Sequence, residues 1–210
     1  MTRGKQAEAP SPIRLAPAER RGQILEAARR VFTSTSYADA EMADIAREAG
    51  VTRTLVNHYF GGKRALYLEV VREAATALPE TVRDLRGLPR EELVDRNVEG
   101  FLNAIERDHE LWGALLGAET VGRDAEVAAI MAEARDEVVE RMARNHAAEP
   151  TDELRLVLRV FQGAAEAAAG EWLRRGRASR EQVRALLART LLAMIDDVAP
   201  AIPPAKPPAR

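Results

Sequence analysis

The sequence predicts an all-α chain of about nine helices, a small three-helix unit followed by a larger helical domain. Ala, Leu, Arg and Glu, good helix formers, dominate the composition, while aromatic residues make up only 4%. Apolar residues recur at three- and four-residue spacing along most of the chain, and strand-like alternation never runs beyond four residues. Gly, Pro and Ser/Thr cap signals punctuate these periodic stretches at helical lengths.

In chain order, residues 1–15 are polar and proline-bearing and read as a disordered arm. A first helix over about 18–34 repeats Ile24, Leu25, Ala28, Val31 and Phe32 on one face. A second, about 40–48, carries Met42, Ile45, Ala46 and Ala49. Gly50 and Val51 make a tight turn. Thr52 then caps a third helix to about 59, which Gly61 and Gly62 end. A fourth starts near Lys63, carries Leu66, Val70 and Ala74, and stops at Pro79. Further helices are expected over about 90–106, from Asp108 to near Gly117, over about 124–146, and from a Thr151 cap to about 175. Ser179-Arg180-Glu181-Gln182 has capping-box spacing and opens a last helix to about 198. The proline-rich stretch 199–210, with five prolines in twelve residues, reads as a disordered tail. The domains expected are therefore 16–67 and 68–198.

The 210 residues include no cysteine, which excludes disulfides, thiolate metal sites and a cysteine nucleophile. No apolar run follows the basic residues at the start, and no 18-residue stretch suits a bilayer. The expectation is a cytoplasmic protein with no membrane partner. Net charge is −2, but 11 basic and 7 acidic residues fall in 1–67, against 20 and 26 in the remainder. That asymmetry fits a phosphate-facing end, and compositional drift would also produce it. His58, His109 and His146 are scattered without metal spacing, and no Gly-rich phosphate loop occurs. Glu119, Thr120 and Asp124 cluster without a base or nucleophile beside them. No cofactor or metal is expected, and a helical enzyme finds little support.

Met42–Phe60 is the informative segment. A helix-turn-helix needs a small residue at the helix crossing, a turn residue tolerant of positive φ, and an apolar residue facing back into the crossing. Ala46, Gly50 and Val56 occupy these places. Thr52, Arg53, Thr54, Asn57 and His58 lie on the other side of the third helix; all can donate or accept hydrogen bonds, and none is acidic. Such a face can approach phosphates and base edges of double-stranded DNA. Arg3, Lys5 and Arg14 either reach a minor groove or belong to a tail without contacts.

Tyr37, Met42-Ala43-Asp44-Ile45-Ala46, Ala49-Gly50-Val51-Thr52, Tyr59-Phe60 and Lys63-x-x-Leu66 together resemble the TetR family of bacterial one-component regulators. The resemblance covers about residues 20–67. It implies that the third helix enters the major groove, with Arg53, Thr54 and Asn57 at bases, Tyr59 and Lys63 at phosphates, and His58 at either. Thr54 and Asn57 depart from the glycine and aromatic common in the family, so the operator does not follow from relatives. Ala40 and Glu41 replace the usual Ser or Thr near the start of the second helix; Asp39 is expected to cap it instead. Phe60 reads as core.

The helix from Thr151 carries one stripe of Leu154, Leu158, Phe161, Ala165, Ala168 and Trp172 and another of Val157, Val160, Ala164 and Ala167. A helix so broadly apolar is buried from more than one side. The resemblance implies a homodimer built on the last two helices, with Val157, Val160, Ala164, Ala167, Val183, Leu187, Leu191 and Met194 at the interface; packing within the monomer is the alternative. It also implies a pocket for a small-molecule effector. Phe101, Ile105, Trp112, Leu116, Met131 and Phe161 are the apolar candidates, with Gln162 and Glu166 as polar anchors, although pocket wall and ordinary core look alike in sequence. The expected function is a repressor that binds a palindromic operator and is released by a small, mostly apolar effector; a DNA-binding regulator without an effector is the alternative.

Overall fold

The computed structural model describes residues 15–107, 124–173 and 175–204, and in these it contains eight α-helices and no strand. They are α1 (Pro17–Ser34), α2 (Met42–Glu48), α3 (Arg53–Phe60), α4 (Lys63–Ala77), α5 (Arg90–Arg107), α6 (Ala125–His146), α7 (Asp152–Leu173) and α8 (Arg180–Ala193). Each corresponds to an expected helix. The helix expected from Asp108 to Gly117 lies outside the described residues, as do residues 1–14 and 205–210.

Local chemistry sets the helix starts. Pro17 opens α1, where its missing N–H costs nothing, and the Glu19 carboxylate accepts from the Ala16 backbone N–H at 2.9 Å. Thr52 caps α3, its hydroxyl accepting from the Leu55 N–H at 3.2 Å. The Thr151 hydroxyl does the same for Leu154, and Ser179 with Gln182 forms the expected box at α8. One cap differs from expectation. Asp39 accepts from the Ser36 hydroxyl at 2.6 Å within its own turn, and α2 starts behind Glu41 with no side-chain cap. The tail differs too: a π-helical turn (Met194–Val198) follows α8, and a 3-10 turn (Ala199–Ala201) takes up the start of the proline-rich stretch. Proline is tolerated there because a first-turn N–H needs no partner.

Among the described residues two hydrophobic cores form. Ile24, Ala28, Phe32, Ile45, Ala46, Val56, Phe60, Leu66 and Val70 make the head. Leu68, Val71, Val98, Leu102, Met131, Leu158, Phe161, Leu187 and Leu191 belong to the body. Helix α4 feeds both, with Leu66 and Val70 on one side and Leu68, Val71 and Ala75 on the other. The division expected between residues 67 and 68 thus falls inside one continuous helix. Among the described residues no helix is long and apolar enough to cross a membrane.

Candidate nucleic-acid interface

The turn between α2 and α3 is built by Gly50, whose φ of +62° would strain an L side chain, and by the Val51 N–H, which donates to the Ala46 carbonyl at 2.9 Å. Val56 is fully buried beneath the turn and Phe60 nearly so. Gly61, at φ +76°, caps the end of α3 in the left-handed conformation. Contacts from α1 hold the unit from behind. The Gln23 amide donates to the Ala49 carbonyl at 2.9 Å, Arg30 pairs with Glu48 at 2.8 Å, and the Arg21 guanidinium lies 4.8 Å over the Phe60 ring. An eight-residue helix is marginal alone, so this packing fixes its direction.

The outer face is as expected in exposure. Thr52, Arg53, Thr54, Asn57 and His58 are all exposed, and Tyr59 is half-buried with its ring edge-on to His58 at 5.6 Å. No carboxylate occurs in α3. Lys63 stands at the first position of α4, where its ammonium donates to the Ala38 carbonyl at 3.1 Å and lies 4.7 Å over the Tyr37 ring. The residue thus belongs to the first turn of α4, where backbone N–H groups suit an anion, while its ammonium is held by Ala38 and Tyr37.

Ion pairs tie the head to the body. Arg21 pairs with Glu69, Glu69 with Arg72, Arg72 with Glu126, and Arg64 with both Glu126 and Asp124. Asp124 also caps α6, accepting from the Glu126 and Val127 N–H groups. The Arg64 guanidinium, helped by these backbone donors, holds the Asp124 carboxyl down to about 2. Being solvent-exposed, the chain of pairs orients α4 more than it stabilises the fold.

In the body, Phe101, Phe161 and Gln162 line an apolar cavity of about 50 Å³ with Thr81, Asn97, Val98, Val138 and Met142. Ile105 and Met131 do not line it; both are buried, at 0% and 3% exposure. Glu166 is also displaced from the expected role, because Arg135 holds its carboxylate in a two-point pair at 2.8 and 3.1 Å between α6 and α7. Trp112 and Leu116 lie outside the described residues. Asn97 was missed, although Leu93, Val94, Asn97, Val98, Phe101 and Leu102 trace one helical stripe in which it is the polar member. A separate groove of about 1000 Å³ beside α5 is walled by both signs of charge, including Arg83, Arg96, Arg184, Glu92 and Asp95.

The expected dimer residues divide. Val160, Ala164 and Ala167 are exposed and Met194 is half-buried. Val157, Val183, Leu187 and Leu191 are 0–3% exposed in the single chain, so the monomer's own core takes them. The outward stripe of α7 is instead Leu156, Val160, Ala164 and Ala167, and Leu186 stands out from α8. A four-residue step from Val160 rather than a three-residue one would have picked Leu156 in place of Val157.

This architecture has known counterparts. Residues 24–70 match the model for bacterial regulatory proteins of the tetR family, and residues 89–194 match a tetracyclin repressor-like C-terminal domain. The chain belongs to the TetR family. This TetR-family transcriptional regulator is 34% identical over 93 residues to the HTH-type transcriptional regulator BetI of Vibrio atlanticus, a match covering 40% of this chain and 46% of that one. It is 35% identical over 99 residues to the HTH-type transcriptional activator FasR of Mycolicibacterium smegmatis, covering 46% and 45%. The chain therefore spans about half the length of the curated relatives it matches. The crystal structure of a TetR-family regulator from Streptomyces coelicolor superposes with a TM-score of 0.78 at 25% identity, covering 89% of this chain and 84% of that one. The part of the chain matched by the tetR-family model, residues 24–70, includes α3.

Proposed function

We propose that the protein is a homodimeric repressor that binds a palindromic operator and releases it when a small, mostly apolar effector enters the body. The observation that carries this reading is the outer face of α3, five exposed hydrogen-bonding side chains without a carboxylate, on a helix held rigid by buried Val56. Arg53, Thr54 and Asn57 read base edges, Tyr59 and Lys63 hold phosphates, Thr52 sits at the rim, and His58 serves either. Two copies joined through Leu156, Val160, Ala164, Ala167 and Leu186 would present two such helices to half-sites about one helical turn apart. The effector acts only by preferring a dimer in which these helices are wrongly spaced. The sign of regulation is part of the proposal, since a relative named as an activator matches as well as others do.

A gel shift with the DNA flanking the protein's own gene, run across a salt series, tests this. The expected result is a complex that survives competitor DNA and weakens steeply with salt. Arg53→Ala is expected to lower the preference for operator over random DNA by about 1–3 kcal/mol, and Lys63→Ala to weaken both alike. Intact discrimination in Arg53→Ala would remove that residue from base reading, and absence of any selective complex would remove the function. A second reading, a regulator without effector, draws support from the cavity's size: about 50 Å³, against roughly 300–1,000 Å³ for drug-sized ligands.

A further inference from the structure

Asn97 sits in the middle of α5, 7% exposed, and neither its carbonyl oxygen nor its amide nitrogen finds a hydrogen-bond partner among the described residues. A buried amide in that condition loses its hydration without return, and leaving it unpaired costs about 1–3 kcal/mol. Such groups are rare in folded proteins and mark a place where something else supplies the bond. Asn97 lines the apolar cavity between α5, α6 and α7. Two other polar side chains share the wall. The Thr81 hydroxyl has committed its proton to the Leu78 carbonyl at 2.8 Å, so toward the cavity it can only accept. Gln162 contributes a second amide.

We infer that Asn97 is the polar anchor of this cavity, and that its ligand is a compact neutral molecule, or neutral end-group, presenting a hydrogen-bond donor and an acceptor side by side, as a lactam or primary amide does. The assignment rests on the effector-binding reading above and narrows it to a ligand class. Donor and acceptor follow from the amide itself, which offers its oxygen and its NH₂ on one edge. Neutrality follows from the lining: among the described residues no ionisable side chain faces the cavity, and a charge buried there would stand unpaired. Size follows from the volume of about 50 Å³; at roughly 10–15 Å³ per water-sized group, it holds a handful of heavy atoms. Anything larger, six-atom rings included, requires the flexible Met142 side chain, at one wall, to move aside.

Three five-membered rings of nearly the same shape separate the alternatives: pyrrolidin-2-one with donor and acceptor, cyclopentanone with the acceptor alone, and cyclopentane with neither. Each is titrated into the full chain labelled with ¹⁵N, following both backbone resonances and the side-chain NH₂ pair of Asn97. The lactam is expected to bind at least tenfold more tightly than the other two and to move the Asn97 NH₂ signals. Asn97→Leu replaces an unpartnered amide by an apolar group of similar volume, so it should fold at least as stably. In that variant the three rings should bind alike. Asn97→Val, which leaves more room, decides the matter if leucine itself obstructs the cavity. Equal binding of all three rings to the wild type, unaltered in both variants, would overturn the anchor while leaving the cavity as the effector site. Binding of none would overturn the anchor and the effector reading together.

Discussion

Gly100 in α5 offers a test in which two effects of known size oppose each other. A Cβ built there would stand 2.8 Å from the Thr81 carbonyl oxygen, inside ordinary contact distance. Helix propensity alone favours Gly→Ala in a helix interior by about 1 kcal/mol. The carbonyl cannot easily give way, because the 3-10 turn Pro79–Thr81 is tied down. Thr81 N–H donates to the Leu78 carbonyl, Val82 N–H to the Pro79 carbonyl, and the Thr81 hydroxyl to the Leu78 carbonyl. Arg141 also donates to the Pro79 carbonyl at 3.2 Å. Forcing a methyl into so fixed a contact costs about 1–3 kcal/mol, and against tied-down backbone the upper part of that range applies, so the cost exceeds the propensity gain. Gly100→Ala is therefore expected to destabilise by about 1 kcal/mol or more, seen as a lower midpoint at constant slope in urea unfolding followed by circular dichroism. Gly22→Ala is the control: it lies in α1 with nothing within 4 Å of the added carbon, and should gain up to about 1 kcal/mol. The same turn closes α4, which reaches into the head, so Gly100→Ala should also alter operator affinity. A Gly100→Ala protein as stable as its Gly22→Ala counterpart would refute the reasoning.

Other outcomes follow from the same structure. The His146 ring is pushed down from 6.5 to about 4, first by burial and then by the Arg90 cation, against the pull of Asp196. Its folded value lies below its unfolded one, so its contribution is complete above pH 6.5 and is lost as pH falls toward 4. The limit is about 3 kcal/mol. His146→Gln should flatten the fall of the urea midpoint between pH 7 and 4.5, and an identical fall in both proteins would contradict the assignment. Val160→Glu or Leu186→Glu, at side chains exposed in the single chain, should yield a folded monomer in sedimentation velocity; dimers from both would move the interface elsewhere. Val56→Ala, beneath the turn, should cost about 2 kcal/mol or more and weaken DNA binding with it.

The helices and their caps were legible in the sequence because the forces that place them act over a few residues. Thr52, Thr151 and Ser179 each bond to a backbone N–H three positions on. Gly50 and Gly61 announce turns that only a residue without Cβ enters freely. The exposed face of α3 followed from the same periodicity, since Val56 could point only one way. What tertiary structure alone decided was the use of each apolar stripe in the body. Val157 and Leu156 are neighbours of like character, yet one is swallowed by the core and the other faces outward. Glu166 looked like a pocket anchor until Arg135, 31 positions away, claimed it. Asn97 looked like any polar residue on a helix until the surrounding helices closed over it without a partner among the described residues. Hydrophobic attraction carries no direction, so periodicity says which side of a helix leaves water and not what meets it there. That choice belongs to contacts between residues far apart in the chain.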